Sequence, residues 1–226
     1  MLDRRKNYYL VFDVETAPID NTIESVEPKN MLVYDLGYMI VDKQGNIYKQ
    51  ESLIIKEIFF NNDLMRSAYY YNKVPLYLDS IINQESEVVD FATAKKRFFK
   101  DFYSYGCKAC VAYNARFDFY ALHATSQKIL GNYFFPYDFE VWDALKMVRD
   151  IMKQRPTYKR FCENHNFMTR HKKPQPQMKA ETVYRYITNN PNFIESHTGL
   201  QDTAIEKEIF TFCLRQHKKM RRRLWG

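Results

Sequence analysis

The 226-residue sequence contains no charge-free apolar run long enough to cross a lipid bilayer, so a helical membrane span is excluded on length alone. Its first residues, MLDRRKNYYL, carry charge but neither the apolar core nor the small-residue cleavage site of a secretory signal, and the chain is expected to be cytoplasmic. Cysteine is sparse, four residues in all, which excludes a disulfide-built scaffold and suits a reducing compartment. There is no internal repeat and no linker long enough to set apart a second domain. One domain over 1–226 is therefore expected, with a core over about 7–215 and a basic tail over about 216–226.

Apolar side chains and positive charge are plentiful. Hydrophobic residues make up 46% of the chain, enough for one substantial core. Lys and Arg number 34 against 27 Asp and Glu, and the resulting +7 suits a polyanionic partner such as nucleic acid.

Against that basic background, five residues stand where a solvated charge is unexpected. Strand side chains alternate faces, so in YYLVFDVE the carboxylates of Asp13 and Glu15 share one face with Val11, while Leu10, Phe12 and Val14 take the other. A helix expected from about Ala115 to Leu130 carries Asp118 in phase with Ala121, Leu122, Thr125 and Ile129. A later helix, near 198–216, carries Asp202 in phase with Ile205, Ile209 and Phe212, and His197 immediately precedes it. Taken singly, each has an ordinary reading: a loop entry, a carboxylate at a helix N-terminus, a capping or surface histidine. Taken together they bring four inward carboxylates and an imidazole to one place. Buried carboxylates are costly unless paired, protonated or coordinated. Divalent cations remove that cost, and two ions about 4 Å apart suit phosphodiester cleavage.

These residues fall in three motifs: Asp13-Val14-Glu15-Thr16, Asn114 to Asp118, and His197-Thr198-Gly199-Leu200-Gln201-Asp202. Their order and separation resemble the DnaQ-like 3′–5′ exonucleases of the DEDD superfamily, in the subgroup whose third motif carries histidine, over roughly residues 7–215. Gly199 stands where alanine is commoner in that family, and Ala17-Pro18 replaces the usual Thr-Gly after the first motif. The resemblance implies an α/β, ribonuclease-H-like mixed sheet, a three-stranded antiparallel meander plus parallel strands, flanked by helices. It implies two divalent metal ions, Mg²⁺ or Mn²⁺, held by Asp13, Glu15, Asp118 and Asp202, with Asp13 bridging both and Asp118 acting directly or through water. His197 would be the base, main-chain groups of Thr16 and Ala17 would receive the terminal nucleotide, and Asn114 would support the second motif. The implied reaction removes nucleoside 5′-monophosphates from the 3′ end of single-stranded DNA. RNA trimming by the same site, and a non-catalytic nucleic-acid-binding or polymerase-docking subunit, are the other readings. A DNA polymerase or another replication or repair protein is the partner class that follows.

The strand through Asp13 is followed by YDLGYMIVD and NIYKQESLII, joined across Lys43-Gln44-Gly45 as an antiparallel meander. Helices are expected near 61–80 and 88–104. The strand CVAYN, the Asp118 helix, the strand DFEVW and a helix from about Asp143 to Lys153 have the alternation of a parallel crossover. Helices near 157–167, 179–189 and 198–216 follow, with TRHKKPQPQMK as a loop. Arg66 and Lys73 lie among Tyr69, Tyr70, Tyr71 and Tyr77, a combination that serves base stacking and phosphate pairing or, alternatively, an aromatic core. Arg215, Lys218, Lys219, Arg221, Arg222 and Arg223 read as a nucleic-acid backbone track on a helix end, or as a solvated tail. Cys107, Cys110, Cys162 and His165 have zinc-clip spacing, but Cys110 enters a buried strand and Cys162 the inner side of a helix, which favours packing.

Overall fold

The structure is a computed structural model that describes residues 3, 5–19, 27–195 and 197–225; Met1, Leu2 and Arg4 at the start of the chain and Gly226 at the end of the basic tail lie outside the described residues. Its centre is β1 (Tyr8–Pro18), whose alternating side chains serve two cores at once. Leu10, Phe12 and Val14 enter one apolar cluster and Tyr9 and Val11 the other, as the strand period requires.

β2 (Met31–Asp42) and β3 (Ile47–Ile55) complete the antiparallel meander, with the connection turning at Gly45, φ +93°. A further strand, β4 (Glu87–Val89), runs parallel to β3 at one border. On the other side of β1, β5 (Cys110–Ala112) and β6 (Val141–Asp143) add two parallel strands, giving the order β4-β3-β2-β1-β5-β6. The helices on the two faces include α4 (Phe91–Ser104) and α5 (Arg116–Leu130) on one side and α6 (Ala144–Met152), α7 (Pro156–Asn164), α8 (Ala180–Thr188) and α9 (Gly199–Arg215) on the other.

Three expectations need correction. The stretch 61–80 is not one helix: α1 (Lys56–Phe59) and α2 (Asn62–Met65) are single turns, a 3₁₀ turn spans Tyr71–Lys73, and α3 (Val74–Ile82) starts afresh. Asn61 accepts from the Leu64 N–H and caps α2, and Pro75 is tolerated only in the first turn of a helix, so the break falls before it. The stretch 88–104 opens with β4, because Asp90 caps α4 through the Thr93 N–H at 2.7 Å and leaves Val88 and Val89 extended beside β3.

The third correction concerns the basic segment. The helix ends at Arg215, and the chain then returns as an extended strap along β6 rather than continuing a helical track. The Asp143 N–H donates to the Arg222 carbonyl at 2.6 Å and the Leu224 N–H to the Val141 carbonyl at 2.8 Å. Arg221 grips Asp150, Arg223 pairs with Glu140 at 3.0 Å, the Arg222 guanidinium lies 4.5 Å from the Trp142 ring centre, and Arg215 reaches the Gln44 carbonyl. Four of the six expected backbone-binding cations thus hold protein groups, leaving Lys218 and Lys219 exposed.

The cysteines pack. Cys107 and Cys110 lie in the core on one face of the sheet and Cys162 in the core on the other, so the zinc clip does not assemble. Residues 169–179 form a loop, pinched by the Thr169 N–H donating to the Gln175 carbonyl at 2.8 Å.

Candidate active site

Asp13 and Glu15 end the central strand, and a register irregularity falls between Glu15 and Thr16, where Asp35 opposes Glu15 but Val33 opposes Thr16. Such a bulge re-aims the side chains beside it. The cross-strand partner of Asp13 is Gly37, and this glycine admits α9: a Cβ built there would lie 2.2 Å from the Gly199 carbonyl carbon. In the other direction, a Cβ on Gly199 would meet the Gly37 nitrogen at 2.9 Å and the Asp35 carboxyl at 3.1 Å. The departure from alanine at position 199 therefore accompanies a helix whose first turn rests on the backbone of β2. Asp35 fastens it by accepting the Gly199 N–H at 2.7 Å, and the Thr203 hydroxyl bonds to the Gly37 carbonyl at 3.1 Å. This contact carries Asp202 and His197 to the end of β1.

The second motif is set by a different device. Asn114 takes a left-handed conformation, φ +61°, which asparagine tolerates well and which turns β5 into α5. Its N–H is held by Asp143 at 3.1 Å, and the adjacent Tyr113 N–H is held by Glu206 at 2.9 Å. Asp118, in the first turn of α5, consequently points inward and is buried.

The tightest group is Glu15, His197 and Asp202, whose ligand atoms all lie within 4.8 Å of one another. His197 Nδ1 is 3.7 Å from Asp202 and 3.8 Å from Glu195. Asp13 and Asp118 fall outside that triple but face the same cluster: Asp118 adds repulsion at Glu15 and at Asp13, and Asp13 is itself raised by Asp118, Glu15 and Asp202. Burial pushes Glu15 up to about 9, with Asp202 and Asp35 adding repulsion. Burial, then Glu195, pushes Asp202 up to about 8, and burial pushes Asp118 up to about 7. Asp13 is raised well above the carboxylate range by burial and by Glu206, Asp118, Glu15 and Asp202. His197 moves the other way: burial and the Lys73 charge lower it, so its imidazole is neutral near pH 7.

Several participants were not singled out from the sequence. Glu206 is one turn beyond Asp202 and only 4% exposed, and burial with Asp118 beside it raises its carboxyl strongly. Its position four residues after Asp202, in the same inward stripe, was the available signal. Asp35 had no such signal, since all of β2 is buried and shows no polar alternation. Of the aromatic and basic segment that the sequence did single out, Tyr70 reaches the site and Lys73 lies against it: the Tyr70 ring stacks on His197 at 4.5 Å and 13°, whereas Tyr77 belongs to the core and Tyr69, Tyr71 and Arg66 are exposed. Thr16 and Ala17 follow Glu15 on β1 and are buried.

The donor set suits hard divalent cations. Carboxylate oxygens with one imidazole are gathered where desolvation forbids simultaneous ionisation, and Asp202 Oδ1 and Asp35 Oδ1 are buried without a hydrogen-bond partner among the described residues.

No protein-family model matches the chain, and no curated protein sequence matches it. Solved structures do. E. coli exonuclease I in complex with a 5cy-dT13 oligonucleotide superposes with a TM-score of 0.57 at 13% identity, covering 93% of this chain and 41% of that one. The zinc-ion-bound form of the E. coli exonuclease I complex with single-stranded DNA gives 0.57 at 15% identity, covering 94% and 41%. Cell-death related nuclease 4 (CRN-4) gives 0.57 at 11% identity, covering 95% and 66%. The chain spans about two fifths of the length of exonuclease I. At these identities the likeness establishes the fold: a ribonuclease-H-like mixed sheet flanked by helices.

Proposed function

We propose that the chain is a metal-dependent 3′–5′ exonuclease that removes nucleoside 5′-monophosphates from single-stranded DNA, acting as one catalytic domain. The observation that carries this reading is the convergence of Asp13, Glu15, Asp118 and Asp202, whose carboxyls burial raises above their ordinary range, with Glu15, Asp202 and His197 offering ligand atoms within 4.8 Å of one another. Three of the motif residues are aligned by dedicated contacts: Asp202 and His197 through the Gly37–Gly199 approach, and Asp118 through Asn114. A structural ion pair would need cations in their place. The likeness to exonuclease I with a bound oligonucleotide adds a fold on which that chemistry occurs.

Two divalent ions, Mg²⁺ or Mn²⁺, would be held by the four carboxylates and would offset charge on the attacking and leaving oxygens. His197 takes a proton from the attacking water as the new oxygen–phosphorus bond forms. The bond from phosphorus to the 3′ oxygen of the preceding nucleotide breaks, and that oxygen takes a proton from solvent. Glu195, 3.8 Å from His197 Nδ1 and itself raised to about 6 by burial and Glu181, helps hold the ring and accept its charge. Main-chain groups of Thr16 and Ala17 border the place of the terminal nucleotide.

The test is degradation of oligonucleotides bearing a label on the 3′-terminal nucleotide, single-stranded DNA, double-stranded DNA and RNA, with Mg²⁺, Mn²⁺ or a chelator. Release of labelled 5′-monophosphate from single-stranded DNA, lost with chelator, is expected. Preferential RNA degradation would move the substrate to RNA; retention of every substrate intact with tight binding would make the chain a binding subunit.

A further inference from the structure

The segment between β3 and α3 contributes two residues to the site that the three motifs do not contain. Because this stretch breaks into α2 and a 3₁₀ turn instead of one helix, Tyr70 comes to lie flat against His197, centroids 4.5 Å apart and planes 13° from parallel. Lys73, the last residue of the 3₁₀ turn, places its ammonium 4.5 Å from the Tyr70 ring centre. Lys73, Tyr70, His197 and Asp202 thus form a column of ammonium, phenol, imidazole and carboxylate, the last step being 3.7 Å. The Lys73 side chain is half-buried, and its charge acts on Glu15, Asp202, Glu195 and His197 alike.

His197 has φ +56°, a left-handed conformation that a non-glycine residue holds only when its surroundings fix it. The flat contact with Tyr70 is such a constraint on the ring. Phosphoryl transfer, meanwhile, concentrates charge on the non-bridging oxygens of the phosphate as water enters and the 3′ oxygen leaves, and a fixed ammonium favours that charge.

We propose that Lys73 binds a non-bridging oxygen of the phosphate being cleaved, and that Tyr70 is a positioning residue that holds the His197 ring over the carboxylates. The inference rests on the exonuclease reading and adds to it a substrate contact and a support for the base. Lysine is a point charge with rotatable donors, so arginine in its place should recover part of the phosphate contact, whereas methionine keeps the stem and loses the charge.

The experiment separates binding from turnover. Calorimetric binding of thymidine 5′-monophosphate and of thymidine, both in Ca²⁺, is compared for the parent, Lys73→Met and Lys73→Arg, after melting curves establish that each is folded. Lys73→Met is expected to weaken thymidine 5′-monophosphate by about 10- to 100-fold, the worth of one hydrogen bond to a charged group, and to leave thymidine unchanged. Lys73→Arg is expected to recover part of the loss. Unchanged or tighter monophosphate binding by Lys73→Met would show that the lysine only offsets carboxylate charge and would overturn its assignment. For Tyr70, Tyr70→Leu should lower kcat with little change in KM and shift the His197 ring proton resonances, while Tyr70→Phe, which keeps the stacked ring, should retain both. Equal loss in the two variants, or none in Tyr70→Leu, would overturn the positioning role. If the parent hydrolyses oligonucleotides and binds the monophosphate while these variants behave as it does, this inference alone fails. If the parent does neither, the exonuclease reading fails with it.

Discussion

Asp42 and the Glu15–Asp202 cluster are both buried acids against the same sheet, and they are opposite in character. Asp42, 1% exposed at the end of β2, accepts from the Lys6 ammonium at 3.0 Å, the Tyr48 hydroxyl at 2.8 Å, the Asn46 side chain at 2.9 Å and the Gln44 N–H at 3.0 Å. Burial alone would raise its carboxyl, but the donations from Asn46, Lys6 and Tyr48 outweigh it and hold the group well below the usual range. Glu15 and Asp202, 8% and 6% exposed, are raised instead. Burial is common to both places, and what differs is the supply of donors. The fold satisfies an acid where it needs a clasp and leaves acids short of donors at the candidate site.

The sharpest way to break this comparison is to remove one carboxylate from each place. Asp13→Asn or Asp202→Asn should lower hydrolysis by about 10⁴-fold or more while leaving the metal-free melting temperature unchanged or higher, since repulsion is relieved with the ligand. Asp42→Ala should do the reverse: unaltered turnover by the folded fraction, and a stability loss of about 3 kcal/mol from stranded buried donors. Turnover and thermal melting on the same samples decide it, and a fully active Asp13→Asn would end the metal reading. Replacing His197 by Ala comes next, with an expected slowing of about 10²- to 10⁴-fold and unchanged Mn²⁺ affinity. If the alkaline-going limb of the parent pH–rate profile survives unchanged in that variant, another group is the base.

A smaller effect separates the two places by pH. Carboxyls raised to about 7, 8 and 9 at Asp118, Asp202 and Glu15 bind protons in the folded chain that the unfolded chain has already released. Their contribution therefore favours folding at low pH and is progressively lost as pH climbs from about 4 to 9. Asp42, being lowered, works in the other direction, stabilising above its unfolded value and failing only in acid. Metal-free melting temperature should fall between pH 5 and 9, and saturating Mg²⁺ should flatten the decline; a profile indifferent to Mg²⁺ would detach the carboxylates from metal binding. The least effect is expected at the strap. Lys218→Ala with Lys219→Ala should reduce the slope of log affinity against log salt, for a long single strand, by no more than about 1.4, or 0.7 per phosphate contact. Truncation after His217 should instead lower the melting temperature, because it strips the buried Leu224 and the clasp on Trp142.

The central strand, the meander and the segments bearing Asp13, Glu15, Asp118, His197 and Asp202 were legible because period-2 and period-3.6 patterns bear directly on which side chains turn inward. The strand β4 was hidden because three residues show no period, and α1 and α2 because single turns are settled by caps and tertiary contact. Asp35 was invisible for a different reason: its role arises from register opposite Glu15 and from the approach of α9, neither of which is local in the chain. Glu206 was within reach, one helical turn from a residue already singled out. The extended course of the strap was not legible because a run of arginines looks like a free polycation until Asp150 and Glu140 are seen beside it.

The strap also bears on how this molecule meets others of its kind. A mixed sheet has two borders, and each offers unpaired N–H and carbonyl groups to any extended chain that passes. Both border strands are three residues long, too short to template much pairing by themselves. At one of them, the backbone bonds to Arg222 and Leu224 already occupy the outer side of β6. Loss of the strap would uncover that border together with the apolar surface beneath Leu224, so the expected failure of a proteolysed chain is self-association through that bared apolar surface, a colloidal property set by a segment that contributes no carboxylate or imidazole to the candidate site.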